Sequence, residues 1–129
     1  MTEIDFESYV VELAHFFDWS VAAFRPGQTS KGWRTPVKYD GKGYPDLTMI
    51  HPSGRIVFAE LKASTSSKRS PEQLQWANII TAAELEAASE STAPILYRLW
   101  TPEDADEIIR LISFGRVTQW NITQRRHTR

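Results

Sequence analysis

Apolar side chains recur at Phe6, Val10, Leu13, Ala14 and Phe17. This three- and four-residue spacing predicts one amphipathic helix over residues 3–17, and Thr2 stands where its backbone cap belongs. The next apolar run, WSVAAF, predicts a short strand. Residues 25–43 break the pattern with four Gly and two Pro and predict a long loop, of a length that compact domains keep mainly for function. Strands are expected at 45–50 and 55–63, because HPSG between them has the Pro and Gly of a hairpin turn. In SPEQLQWANIITAAELEAA, Ser70 caps a helix, Pro71 occupies its first turn and Gln73 sits at the capping-box position. ILYRLW predicts a strand at 95–100. The following TPEDADEIIRLI predicts a helix capped by Thr101, opened by Pro102 and acidic in its first turn. The order α-β-β-β-α-β-α predicts an α/β fold, a mixed β-sheet flanked by helices in one domain, with Trp19, Trp76 and Trp100 filling the core.

Three charged residues do not fit the two hairpin strands. Asp46, Glu60 and Lys62 interrupt GYPDLTMI and RIVFAELKA, whose apolar content implies a central strand covered on both faces. Residues two apart on a strand share a face, so Glu60 and Lys62 project together while Val57, Ala59 and Leu61 take the other side. Pairing across the turn would bring Asp46 to the same point. An exposed E-x-K pair is commonly an ordinary surface ion pair contributing roughly 0 to 1 kcal/mol. In a covered strand, charges are costly unless paired or employed. Two neighbouring carboxylates raise each other's proton affinity, and a divalent cation relieves that cost. A hard cation such as magnesium prefers oxygen donors of this kind, and a nearby lysine suits the charge that develops in phosphodiester hydrolysis.

Composition narrows the chemistry. The 129 residues contain no cysteine, which excludes disulfides, thiolate nucleophiles and cysteine-ligated metals. His15, His51 and His127 share no ligand spacing, so a metal would take oxygen donors. No apolar run approaches a membrane span and the N-terminus lacks a secretory pattern, so a cytoplasmic protein is expected. Net charge is only -1, but it is unevenly placed. Residues 1–24 have five acids and no Lys or Arg, whereas residues 25–43 carry Arg25, Lys31, Arg34, Lys38 and Lys42 against Asp40 alone. These five bases are the candidate DNA contacts, with Trp33 and Tyr44 as aromatic neighbours that could stack on bases or simply pack. Residues 115–129 form a basic C-terminal extension beyond a domain expected at 1–114.

Pro45-Asp46 followed by Glu60-x-Lys62 resembles the PD-(D/E)xK nuclease motif. The fuller set GYPDLTMI, RIVFAELKA, SPEQLQW and LYRLWTPEDADEI resembles the VRR-NUC nucleases, especially small stand-alone members from bacteriophages and bacteria, over about Glu3 to Leu111. The resemblance implies a restriction-endonuclease-like core and a magnesium-dependent DNA endonuclease, with manganese able to substitute. It also implies selectivity for branched or four-way DNA, in the manner of Holliday junction resolvases. Asp46 and Glu60 match its metal ligands, Lys62 its catalytic lysine and Gln73 its helix glutamine. The family's first-helix carboxylate falls on Glu3, with Glu7 one turn further on as the alternative. Thr101 departs from the family pattern, which usually has Arg there. An exonuclease or nicking enzyme using the same residues, or a non-catalytic DNA-binding module, are the other readings. Two symmetric cuts in a junction call for a homodimer. The segment VTQWNIT, with Trp120 and Ile122 on one side, is either its contact or a terminal strand folded back on its own chain.

Overall fold

The computed structural model describes residues 1–24, 38–88 and 95–120, and the backbone of 27–29 and 32–34. Helix α1 spans Glu3–Phe16. Thr2 Oγ1 accepts from the Asp5 N–H and Asp5 reaches back to the Thr2 N–H, which satisfies donors that a helix start leaves open. Strand β1 is Ser20–Ala23, β2 Gly27–Thr29, β3 Gly32–Arg34, β4 Leu47–Ile50 and β5 Ile56–Leu61. Helix α2 is Pro71–Ala88, β6 is Ile95–Trp100, and a single 3-10 turn at Pro102–Asp104 leads into α3, Ala105–Ile112. Thr101 caps that turn as expected, exchanging bonds with Glu103 and Asp104.

Four strands form one sheet in the order β1-β4-β5-β6. β4 runs antiparallel to both β1 and β5, and β6 runs parallel to β5, the crossover being α2. This is the mixed α/β arrangement that the hydrophobic pattern predicts, and β5 is a central strand. Along β5, Val57, Ala59 and Leu61 are fully buried in a core shared with Phe6, Val10, Leu13 and Ala14 of α1 and Ile108, Ile109 and Ile112 of α3. The opposite face, carrying Phe58 and Glu60, belongs to the α2 side, where Tyr44 lies edge-on to both Phe58 and Trp76.

The structure departs from the sequence reading in three places. Residues 25–43 are not loop throughout: Gly27–Thr29 pairs antiparallel with Gly32–Arg34 as a separate two-stranded ribbon. Runs of three residues are too short to display a period of two, and their glycines read as breakers. Trp19 and Trp100 are core residues, but Trp76 is only half-buried and donates from Nε1 to the Asp40 carbonyl at 3.0 Å. It therefore fastens the 38–44 segment to α2. Trp120 packs on Phe16 and Phe17 of its own chain, ring centroids 4.5 and 5.6 Å away. Residues 115–120 are not a strand, and Ile122 lies outside the described residues.

Candidate active site

The β4–β5 ladder pairs Leu47 with Ala59, and one further step along the same register sets Asp46 opposite Glu60. Two features hold Asp46 there. Its Oδ2 accepts from the Leu61 N–H at 2.7 Å, and its carbonyl accepts from the Phe24 N–H at 2.9 Å. The approach to Asp46 runs over the start of α2. Gly43 has φ +80°, and a Cβ built on it would lie 2.5 Å from the Glu72 carbonyl carbon and 2.7 Å from the Gln73 nitrogen. Only glycine fits that passage without displacement. Pro45, two residues after Gly43, is buried.

Glu60 is 1% exposed, the one charged residue among the fully buried side chains of the described residues. Its carboxyl is pushed above the usual range, first by burial and then by the Asp46 charge, while Lys62, Arg69 and a hydrogen bond from Tyr97 oppose the shift. Burial removes water that would otherwise stabilise the anion, so the upward influences dominate. Tyr97 reaches Glu60 from β6, donating from Oη to Oε2 at 3.4 Å. Burial and the Glu60 charge push its phenol up to about 12. Arg69, in the connection between β5 and α2, places Nε 3.8 Å from Glu60 Oε2 and donates from Nη1 to Tyr97 Oη at 3.2 Å. Lys62 leaves β5 next to Glu60, its N–H donating to the Trp100 carbonyl at 2.9 Å.

The structure thus gathers Asp46, Glu60 and Lys62, and adds Arg69 and Tyr97. Gln73 performs its capping role: its Oε1 accepts from the Ser70 N–H at 2.8 Å and its own N–H donates to Ser70 Oγ at 3.1 Å. Glu3 and Glu7 are both half-buried on α1, and the Oε1 atom of Glu7 is buried. Among the described residues, no three His, Asp or Glu side chains stand together closely enough to hold a metal ion. Two carboxylates meet at this point, without either helix acid. Lys38 is exposed, and Lys42 pairs with Glu72 at 3.8 Å, which places Lys42 near the start of α2. The side chains of Arg25, Lys31, Arg34 and Trp33 lie outside the described residues. An open groove of about 650 Å³, lined by Asp40, Lys42, Glu72, Gln75, Trp76, Asn78 and Ile79, runs along the outer side of α2. Neither Asp46 nor Glu60 lines it.

Asp46 and Glu60 supply hard oxygen donors, and the pair leaves Glu60 in surroundings that disfavour its negative charge. Both properties suit a magnesium ion, which commonly takes one or two carboxylates and completes its shell with water and substrate phosphate. The donor set fits the ion without a third carboxylate.

No protein-family model matches the chain, and no curated protein matches it. Its helices and four-stranded mixed sheet have the VRR_NUC fold, a restriction-endonuclease-like arrangement. A solved structure described as a VRR_NUC domain is similar at 21% identity, over 85% of this chain and 97% of that chain, with a TM-score of 0.57. Among the described residues no helix is long and apolar enough to cross a membrane.

Proposed function

We propose that this chain is a metal-dependent DNA nuclease that cuts phosphodiester bonds internally, with magnesium as its ion and manganese as a substitute. The observation that carries the reading is Asp46 set in register opposite a buried Glu60 with Lys62 beside it, on a VRR_NUC fold. Asp46 and Glu60 would hold the ion. The chemistry that a bound magnesium ion supplies is Lewis-acid polarisation of phosphoryl oxygens. Lys62 sets a fixed positive charge beside the phosphoryl group, where negative charge grows in the transition state. The hydrogen bond from Leu61 orients the Asp46 carboxylate before substrate arrives, so little reorganisation is left for the reaction itself. Lys38 and Lys42 are exposed cations that suit flanking phosphates.

Branched or four-way DNA is the favoured substrate and a homodimer the favoured assembly, because one site per chain makes one cut and a two-fold pair makes two symmetric ones. Cleavage from an end, or nicking, would use the same residues, so the substrate set distinguishes them. The test is incubation of the protein with labelled linear, nicked, flapped and four-way DNA in magnesium, manganese or chelator. Cutting that needs the ion and disappears in Asp46→Asn, with DNA binding retained, is the expected result. Cutting that persists in chelator, or in Asp46→Asn at the original rate, would refute the assignment.

A further inference from the structure

Glu60 has a positive charge beside it. Arg69 Nε stands 3.8 Å from Glu60 Oε2. The guanidinium is also tethered: Nη1 donates to Tyr97 Oη at 3.2 Å, and that hydroxyl donates to the same Glu60 oxygen at 3.4 Å. Two side chains, linked to each other, therefore close on one carboxylate oxygen. A planar, forked guanidinium held at one branch by a phenol has its orientation toward the carboxylate fixed as well. The two ends of this contact differ in one respect that matters for exchange. The Glu60 side chain is 2% exposed and that of Arg69 27%. Arg69 can leave toward solvent by turning about its side-chain bonds, whereas Glu60 is held by the central strand. Ser70, the next residue, is fixed by its reciprocal bonds with Gln73, so the movement needs no backbone change.

We propose that Arg69 is a displaceable counter-cation, which occupies Glu60 until a divalent ion takes the carboxylate and then meets a phosphate of the bound DNA. The inference rests on the metal-site reading above. Two cations in contact with one carboxylate repel each other strongly where water is scarce, so arrival of the ion expels the guanidinium. A phosphate offers the released fork a bidentate partner as good as the one it lost. Metal and DNA consequently assist each other's binding, and the assistance is reciprocal. In the free protein, Arg69 holds metal affinity down and shields Glu60 from standing uncompensated inside the fold.

Calorimetric titration of Ca²⁺ into the full chain tests this, without DNA and with a phosphorothioate-substituted duplex that resists cleavage. Without DNA, Arg69→Ala is expected to bind Ca²⁺ at least about fivefold more tightly than the wild type, the lower end of ordinary coupling between linked sites. DNA should tighten Ca²⁺ binding by a similar factor in the wild type and by less in the variant. Arg69→Lys, which keeps the charge, should stay near the wild type. Should Arg69→Ala fail to fold by circular dichroism, Arg69→Gln keeps polar donors near Tyr97 without the charge and gives the same readout. A role confined to bracing Tyr97 would lower the melting temperature and leave Ca²⁺ affinity unchanged. Equal Ca²⁺ affinity in wild type and variant overturns the role of Arg69 alone. Absence of Ca²⁺ binding in both proteins overturns it together with the metal site.

Discussion

Gly43 and Gly54 make a matched pair for testing how Asp46 is positioned. Both have positive φ, +80° and +99°, but a Cβ on Gly54 meets nothing within 4 Å, whereas one on Gly43 lies 2.5 Å from the backbone of α2. Alanine at Gly54 therefore incurs only the left-handed backbone penalty, roughly 1–2 kcal/mol. Alanine at Gly43 incurs the same penalty plus crowding, which in packed sites costs about 1–3 kcal/mol, so the sum is about 2–5 kcal/mol. Restoring an ordinary contact of 3.4 Å from 2.5 Å moves the loop or the helix by nearly 1 Å. The rigid partner is α2, so the shift falls on the loop that ends in Asp46. A misplacement of that size costs on the order of a hundredfold in rate. Thermal melts followed by circular dichroism should show Gly43→Ala falling well below Gly54→Ala, by several degrees at about 3–6 °C per kcal/mol for a domain of this size. Initial rates on labelled four-way DNA in magnesium, taken below both melting temperatures, should drop about a hundredfold for Gly43→Ala and stay near wild type for Gly54→Ala. Equal melting temperatures would refute the close approach of the loop to α2. A destabilised Gly43→Ala protein that cuts at the original rate would refute the link between that approach and Asp46.

Two further predictions address the charges at the sheet end. Lys62→Ala should keep its affinity for metal and cut at least roughly a hundredfold more slowly, the scale for losing one preorganised electrostatic group; single-turnover kinetics with saturating metal measures this. Glu60→Gln should stabilise the metal-free protein at neutral pH: an acid whose folded pKa is raised holds its proton longer folded than unfolded, so the wild type loses stability as pH rises above the ordinary carboxylate value of 4.5. Urea unfolding in chelator at pH 4 and pH 7 should therefore show the variant's advantage growing with pH, and an advantage that is the same at both values would contradict the raised pKa.

Much of this site was legible because its signals are local. Alternation along IVFAEL assigns Val57, Ala59 and Leu61 to one face and Glu60 to the other, and the short connection between β4 and β5 brings Asp46 back to Glu60 without any knowledge of the rest of the fold. The Ser70–Gln73 box is equally local, three residues apart. Arg69 and Tyr97 were invisible for the opposite reason. Tyr97 meets Glu60 only because β6 pairs in parallel with β5, Phe58 opposite Tyr97, and no turn sets that register. It follows from how α2, the crossover that connects the two strands, packs on the sheet. Arg69 lies in STSSKRS, which reads as a solvated basic connection until the strand behind it is known to present a buried acid. Trp76 was misassigned by its helix face: its spacing matches Ala77 and Ile80, but its indole N–H is directed to Asp40 of the loop.

The position of the site within β5 explains why three charges are tolerated in so apolar a segment. β5 is the strand where antiparallel pairing with β4 meets parallel pairing with β6, so its C-terminal end receives groups from three directions. Asp46 arrives from the start of β4, Tyr97 from within β6, and Lys62 and Arg69 from the chain leaving toward α2. None of these comes from the α1–α3 side, where Val57, Ala59 and Leu61 are sealed in hydrocarbon. The strand therefore divides its two tasks by face. The apolar face fixes where the strand lies, to the tolerance of a packed core, and the charged face inherits that fixed position. Glu60 can remain a buried acid because the groups that compensate it are anchored to elements the apolar face holds still. A site built on the loops alone would have to recover that rigidity from its own contacts.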